Sequence, residues 1–385
     1  MVNTVLGPVS PEDLGITLMH EHIVFGYPGW YGDATLAPPD RQAALKAGIE
    51  LMQQLKDYGV KTFVDATPNE AGRDPELYRE ISEKTGVNII CATGFYYEEE
   101  GAPAYFKFRS NFADIIAEIY EMFVKEITEG IGRTGIRAGV IKLASSKGMI
   151  TDYEKAFFRA AAKAQKETGV PIITHTQEGT MGPEQADLLL REGADPSRIM
   201  IGHMSDNTDI RYHLDVLNQG VYIGFDRMGL QGLVGCPMDR ERYACIIGLI
   251  GIGYGDKIMI SHDTIAHWLG RPFALPEVAL PLIAEWHPTH LFKNIIPALR
   301  KAGITEEQIS SLVSDLAGVM QVAGLHGGGS PQMETITMMS RYDLESLKGI
   351  AKYLAGIEKE LARYERPTVT PRKMLERFRA MYQGR

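Results

Sequence analysis

Four short apolar segments of the sequence each lead into a histidine or an aspartate. In chain order, these polar residues are His20, His22, His175, His203 and Asp263. Because side chains alternate along a strand, His20 and His22 should share one face, and Glu21 should point away from it. Imidazole and carboxylate together suit Zn, Fe, Mn or Co, and two imidazoles on one strand face can meet at a single ion. The five side chains therefore predict a metal site, provided that the fold brings them together.

Lys142 stands inside another apolar segment, 139–143, where a charged amine is unexpected. A buried ammonium is costly unless it is paired or neutralised. A salt bridge near the end of the strand would satisfy it. Close to metal ligands, however, a bare ammonium would repel the ions, which favours a partner carboxylate or a chemical conversion of the amine.

The elements that would position these residues are eight β-branched or continuously apolar segments. They are 16–19, 61–64, 87–92, 139–143, 170–174, 199–201, 221–225 and 257–261. Most are followed by a segment with helical spacing, such as 43–58 and 152–168. This alternation predicts an α/β fold, a (β/α)8 TIM barrel, with a doubly wound open sheet as the alternative. Active sites of such barrels lie at the C-terminal strand ends, where the candidate ligands stand.

The barrel pattern fades near residue 325, so we predict a hydrolase barrel over 1–325 and a C-terminal helical extension over 326–385. A glycine-rich break at 324–331 separates the two. Apolar residues at helical spacing predict an amphipathic helix over 343–364, and a shorter helix over 371–382. The extension could cap the barrel, pack along its side, contact another subunit or partly cover the active site.

Composition excludes several classes of protein. Of 385 residues, 44% are hydrophobic and 23% charged, which is typical of globular chains and excludes a disordered one. The 40 basic and 49 acidic residues give a net charge of −9, so we expect neither nucleic-acid nor membrane binding. No long apolar segment or signal peptide is evident. The three cysteines are odd in number and widely spaced, which indicates reduced thiols and a cytoplasmic location.

Six segments together resemble the phosphotriesterase family of the amidohydrolase superfamily, which includes the phosphotriesterase-like lactonases. They are TLMHEH at 17–22, AGVIK at 138–142, PIITHT at 171–176, IGH at 201–203, GFDR at 224–227 and ISHD at 260–263. The resemblance extends from Gly7 to about His290. It is specific for the family and much less specific for the substrate.

The resemblance implies a centre of two divalent metal ions, with zinc most expected and Fe, Mn or Co as alternatives. The implied ligands are His20, His22 and Asp263 for the more buried ion, His175 and His203 for the more exposed ion, and a carboxylated Lys142 bridging both. A bridging hydroxide would be the nucleophile, and Asp263 would accept its proton. The family also implies a homodimer.

Substrate contacts follow from the same resemblance and would come from Tyr96, Tyr97, Arg227 and Trp268. Tyr96 is the better match for a tyrosine beside the metals, with Tyr97 second. Arg227 and Tyr96 would join Asp263 and Lys142 as the catalytic residues. Each aromatic ring could instead be plain packing, and Arg227 could pair with Asp226 or Asp263 as support.

These observations predict a lactonase that opens cyclic esters, with phosphotriester hydrolysis as a side activity. The alternative is a phosphotriesterase, or another carboxylic ester or amide hydrolase, on the same centre. A binding protein without catalysis and a redox metal enzyme are further alternatives. The sequence departs from the family in the loop 231–242, at 316–319 and in its long tail. Acidic residues at 98–100, if near the active-site mouth, would disfavour anionic substrates.

Overall fold

The computed structural model describes residues 1–273 and 275–314, and the statements of structure below concern these residues. The predicted boundary at 325, the helices over 343–364 and 371–382 and the departure at 316–319 lie outside them. The helical extension over 326–385 therefore stays a prediction.

Parallel strands curl around one axis, which confirms the predicted TIM barrel. A short antiparallel hairpin, β1 (Val2–Thr4) and β2 (Gly7–Val9), precedes the barrel. The barrel strands are β3 (Ile16–Phe25), β4 (Val60–Asp65), β5 (Asn88–Gly94), β6 (Val140–Ser145), β7 (Ile172–Thr176), β8 (Ile199–Ile201), β9 (Tyr222–Phe225), β10 (Ile258–Ile260) and β11 (Ile265–Trp268). Each strand from β3 to β9 pairs in parallel with the next strand in the chain, so that β9 pairs with β10. At the closure of the barrel it is β11 that pairs with β3, on the side opposite β4. Each of the eight predicted segments thus supplies a strand.

The barrel closes where the chain passes from β10 to β11, and this closure excludes the open doubly wound sheet. The backbone N–H of Asp263 donates to the carbonyl of His20 at 3.1 Å, and that of His22 donates to Thr264 at 2.9 Å. β10 therefore borders β9 while its continuation borders β3. The last barrel strand is thus divided into β10 and β11, and Asp263 lies in the break between them.

The first barrel strand is longer than predicted. The apolar pattern ends at residue 19, but β3 continues to Phe25 and carries His20 and His22 within it. Its outer half is held by pairing with β11, a long-range partner that a local pattern does not contain.

Helices surround the barrel on its outer face. They are α1 (Arg41–Lys56), α2 (Pro75–Thr85), α3 (Ala104–Arg109), α4 (Ile115–Thr128), α5 (Asp152–Thr168), α6 (Gly182–Arg191), α7 (Ile210–Leu217), α8 (Asp239–Gly251), α9 (Ile296–Lys301) and α10 (Glu306–Ser314). Side-chain caps fix several beginnings: Asp40 accepts from the backbone N–H of Ala43, and Thr151 and Glu154 form a capping box. None of the described helices is long and apolar enough to cross a membrane.

The barrel interior is apolar below the strand ends that carry the polar residues. Its buried cluster takes side chains from every barrel strand up to β10 and from the hairpin: Val2, Leu14, Met19, Val64, Ala66, Ile90, Ala92, Val140, Ile173, Met200, Tyr222 and Met259. Such a packed interior is rigid, because close-packed side chains have few alternative arrangements. The candidate ligands are consequently supported by a rigid layer of apolar side chains.

Candidate metal centre

His20 and His22 project from the same face of β3 into the mouth of the barrel, as their spacing predicts. Their ring centroids are 5.7 Å apart. Asp263 Oδ1 lies 3.0 Å from His22 Nε2 and 3.7 Å from His20 Nε2. One nitrogen from each ring and one carboxylate oxygen thus lie within 4.8 Å of one another, close enough for all three to reach one ion.

The opposite nitrogens of these two rings are already engaged. His20 Nδ1 lies 2.7 Å from Oδ2 of Asp226, and His22 Nδ1 lies 2.8 Å from the hydroxyl of Thr67. The Thr67 hydroxyl donates to the carbonyl of Val24, so it accepts from the imidazole. Each ring thus turns its Nε2 toward Asp263 and the mouth, and a proton kept on Nδ1 would leave the Nε2 lone pair for a metal ion.

The Glu21 side chain points away from the barrel mouth, on the opposite face of β3 from His20 and His22, as predicted. Its carboxylate accepts hydrogen bonds from Ser261 and Thr264 and lies 2.7 Å from His262 Nδ1. Burial alone would raise the pKa of Glu21, but His262 and these hydroxyl groups hold it below its usual value. Glu21 therefore fastens the first strand to the segment that carries Asp263.

Lys142 is buried at the inner side of the cluster, with Nζ 2.6 Å from His20 Nε2. Burial lowers its pKa to about 7, although Asp263 and Asp226 act in the opposite direction. Much of this amine is consequently neutral near neutral pH. Gly94 allows β5 to lie close beside it, because a Cβ on Gly94 would stand 1.8 Å from the Lys142 carbonyl oxygen.

His175 and His203 complete the ring of imidazoles. Their centroids are 4.5 Å apart, and His203 stacks on His20 at 4.6 Å. His203 Nε2 lies 3.7 Å from Asp263 Oδ2, and His175 Nε2 lies 2.7 Å from Gln177 Oε1. Burial, reinforced by the positive charge of Arg227, holds the pKa of both rings well below the usual value, so both are neutral.

Asp263 stands at the centre of these contacts with its carboxylate ionised. Burial alone would raise the pKa of Asp263, but His203, the hydrogen bond from His22, and Arg227 hold it well below its usual value. Its backbone has φ +57°, and His203 has φ +56°, a region that residues other than glycine rarely occupy. Strain of this kind at two candidate ligands is typical of a functional site.

Arg227 supports Asp263 and does not contact Asp226. Its Nε donates to Asp263 at 2.9 Å and its Nη1 to Asp206 at 2.7 Å. Of the two pairings considered from the sequence, the structure has the one with Asp263. Asp206 was not singled out from the sequence, because the residues of the 3₁₀ turn after β8 carry no pattern that points toward the site.

Asp226 joins two of the candidate ligands from behind, a role that the sequence did not reveal. Its Oδ2 lies 2.7 Å from His20 Nδ1 and its Oδ1 lies 3.0 Å from His203 Nδ1. Gly202 and Gly224 leave room for this carboxylate, since a Cβ on either would lie within 3.0 Å of it. The one feature of the sequence that pointed to Asp226 was its position directly after the predicted strand 221–225.

An aromatic wall lines one side of the cluster and consists of Phe25, Tyr96, Tyr97 and Trp268. The ring centroids of Tyr96 and Tyr97 both lie 5.1 Å from that of His175. Phe25 lies 5.2 Å from His22 and 5.8 Å from Trp268. Tyr96 and Tyr97 thus border the imidazole of His175, whereas Trp268 contacts Phe25, and their role as substrate contacts stays a prediction.

The donor set fits divalent transition metals. Four imidazoles, one ionised carboxylate and a partly neutral amine converge, and the opposite nitrogens of three rings are held by other side chains. This mixture of nitrogen and oxygen donors, without thiolates, suits zinc and its neighbours. The buried positive charge of an ion would also offset the two aspartates, Asp226 and Asp263.

A model of the phosphotriesterase family matches residues 1–317, more than four fifths of the sequence. The chain belongs to the phosphotriesterase family. An aryldialkylphosphatase from Saccharolobus solfataricus is 36% identical over 318 residues, covering 80% of this chain and 95% of that protein. The family and these relatives make this protein a metal-dependent hydrolase.

Solved structures of family members have the same fold. An organophosphorus hydrolase from Deinococcus radiodurans is 57% identical with a TM-score of 0.81, covering 83% of this chain and 96% of that one. A mutant of a PTE-like lactonase from the same organism is 56% identical with a TM-score of 0.82, covering 83% and 99%. Among family members this similar, some are therefore described as organophosphorus hydrolases and others as lactonases.

Asp226→Asn is expected to weaken metal binding while leaving the fold intact. Loss of the charge that orients two imidazoles should lower metal affinity by about 10–100-fold. Competition with a coloured chelator measures the affinity, and circular dichroism checks the fold. Asp256→Asn, at an exposed position, is the matched control. Equal affinities of Asp226→Asn and the unsubstituted protein would contradict this role.

Glu70→Gln is expected to change how stability depends on pH. Oε1 of Glu70 accepts from the Tyr96 backbone N–H at 2.7 Å, and its buried Oε2 has no partner among the described residues. Burial raises the pKa of Glu70 from 4.5 to about 7, so its contribution is complete below pH 4.5 and is lost as the pH rises through 7.

The melting temperature of Glu70→Gln relative to the unsubstituted protein should therefore increase from pH 5 to pH 8. Scanning calorimetry or fluorescence melting at several pH values measures the difference. The exposed Glu83→Gln should show no such trend. A difference that stays constant across the range would show that Glu70 is ionised throughout.

Proposed function

We propose that this hydrolase opens lactones at a centre of two divalent metal ions. The observation that carries the proposal is the aromatic wall of Phe25, Tyr96, Tyr97 and Trp268 directly beside the imidazoles. Such a wall favours a neutral ring over a charged substrate, because it offers apolar surface and π faces but few donors for an anion. Similarity to a PTE-like lactonase supports the same substrate class.

The charges at the mouth support a neutral substrate as well. Glu100 interacts with the hydroxyl of Tyr97, and burial together with Glu100 keeps that phenol in its neutral form by raising its pKa. Arg227 is already paired with Asp263 and Asp206. An anionic substrate would meet the charge of Glu100 and a guanidinium that is already paired, whereas a lactone would not be repelled.

The metal ligands proposed are those predicted from the sequence: His20, His22, Lys142, His175, His203 and Asp263. The chemistry that bound ions supply here is an activated water near neutral pH and polarisation of the carbonyl oxygen. A neutral Lys142 amine can attack carbon dioxide, forming an N–C bond and releasing one proton, which turns it into an anionic carbamate. The lowered pKa of Lys142 supports that conversion.

Asp263 would handle the proton, and Arg227 would position Asp263. Asp263 lies between His22, His203 and Arg227, so its carboxylate is oriented from three sides. It would accept the proton of the attacking water and return it to the ring oxygen as the C–O bond breaks. Arg227 keeps that carboxylate in place and acts as a positioning residue, while Tyr96 orients the lactone.

Phosphotriester hydrolysis is the alternative activity, because the same ligands and the same nucleophile serve both reactions. The relatives described as organophosphorus hydrolase and aryldialkylphosphatase support it. The homodimer and the cytoplasmic location remain predictions that come from the family resemblance and the cysteine content.

A substrate panel tests the choice between the two activities. Purified protein with its metal content measured would be assayed on γ- and δ-lactones, sugar lactones and neutral phosphotriesters. We expect kcat/KM to be at least about tenfold higher for the best lactone than for any triester, a difference that pocket shape alone can produce. A triester with the higher value would overturn the lactonase assignment.

Lys142→Ala is expected to reduce metal content and hydrolysis together, because it removes the bridging ligand. Elemental analysis and the lactone assay measure the two quantities, and Lys163→Ala at an exposed position is the control. A short carboxylic acid added to the variant should restore part of both. Two ions retained at full occupancy in Lys142→Ala would exclude the bridging role.

A further inference from the structure

A second group of metal-type ligands lies on the segment between β11 and α9, away from the barrel cluster. Glu285, His287 and His290 each present one ligand atom, and these atoms lie within 4.8 Å of one another. Glu285 Oε2 is 3.1 Å from His290 Nδ1 and 3.9 Å from His287 Nε2. The spacing Glu-x-His-x-x-His was not singled out from the sequence.

His290 is buried, and its other nitrogen is held by a carboxylate. Nε2 of His290 lies 2.7 Å from Oδ2 of Asp239. Asp239 also accepts from the Arg242 guanidinium and from the backbone N–H of Gly229, so it acts as an anionic acceptor. His290 then donates from Nε2, and the Asn294 amide donates to Nδ1 at 2.8 Å, so Nδ1 is the acceptor of the ring and faces Glu285.

That arrangement places two electron-rich atoms face to face. The amide of Asn294 donates toward both Glu285 Oε2, at 2.7 Å, and His290 Nδ1, at 2.8 Å. It does not remove the repulsion between the carboxylate oxygen and the ring lone pair 3.1 Å apart. A cation between them would, and a carboxylate–histidine–metal arrangement is how proteins commonly orient a ligating imidazole.

The geometry points to a second metal site, built from Glu285, His287 and His290, that takes Zn²⁺ or a similar borderline cation. Two imidazoles and one carboxylate are a common zinc ligand set that leaves positions for water. Asp239 serves as the orienting carboxylate behind His290. Lys293 is the cation close enough to act on His287, and Asp239, Glu285 and Arg242 are the other charged groups around the cluster.

A metal here would fasten the outer rim of the barrel mouth. Trp286 donates from its indole to the carbonyl of His262, next to Asp263, at 2.8 Å. A Cβ on Gly229 would lie 2.3 Å from the carbonyl oxygen of Glu285, so the two loops are in close contact. The site would thus tie the segment 285–290 to the beginning of α8 through Asp239 and hold the loops around the mouth together.

Zinc binding by the full-length protein tests the site. Metal-free protein would be titrated calorimetrically with Zn²⁺ alone, beside Glu285→Gln/His287→Ala. Both positions are partly exposed, so the double variant removes two ligands without emptying the core. We expect it to bind one zinc equivalent fewer than the unsubstituted protein and to show a smaller zinc-dependent rise in melting temperature. Glu277→Gln, an exposed carboxylate outside the cluster, should match the unsubstituted protein.

Equal zinc stoichiometry in the double variant and the unsubstituted protein would overturn the site. His290 would then be an imidazolium held between Asp239 and Glu285. Because the readout is the difference in zinc bound, it does not depend on which substrate the enzyme hydrolyses or on how many ions the barrel cluster holds. A circular dichroism spectrum shared by both proteins establishes that the variant is folded.

Discussion

The mouth of the barrel depends on stabilising the ionised carboxylate of Asp263 although it is largely buried. A buried carboxylate is unfavourable unless charges and hydrogen bonds surround it, and here His22, His203 and Arg227 do so. Arg227 in turn requires Asp206, and His203 requires Asp226. One buried charge after β10 thereby organises side chains on β3 and directly after β8 and β9, and a shift of any of these strands would leave a charge unpaired.

The segment that closes the barrel also carries Asp263 of the candidate site. β10 ends, the chain passes through Asp263 with positive φ, and β11 resumes beside β3. Glu21, on the outer face of β3, binds the residues on both sides of Asp263, while His20 and His22 reach it from the inner face. Period-two alternation in one strand therefore divides structural and ligand roles between adjacent residues.

The proposed substrate side of the cluster is apolar, whereas the side with the candidate metal ligands is polar. Tyr96 and Tyr97 stand against His175, and the backbone of Tyr96 is held by the buried carboxyl of Glu70. The loops that carry these rings are long connections on a rigid barrel, which is where related barrels vary their chemistry. The proposed ligand positions and the proposed specificity positions can consequently change independently, in keeping with relatives described as lactonase and as organophosphorus hydrolase.

The sequence by itself was enough for the barrel and for the six side chains that the structure brings to its mouth, because strand periodicity and ligand types are local properties. Tertiary structure alone decided which charges pair. Arg227 stands next to Asp226 in the chain but binds Asp206 and Asp263, since neighbouring residues on a strand end point in different directions. The roles of Asp226 and Thr67 were likewise hidden, because their partners lie on elements far away in sequence. The ligands of the Glu285–His290 cluster are close in sequence, but Asp239, which orients His290, is not. Local sequence patterns indicate which chemistry a side chain can supply, and the tertiary fold determines which other side chains it contacts.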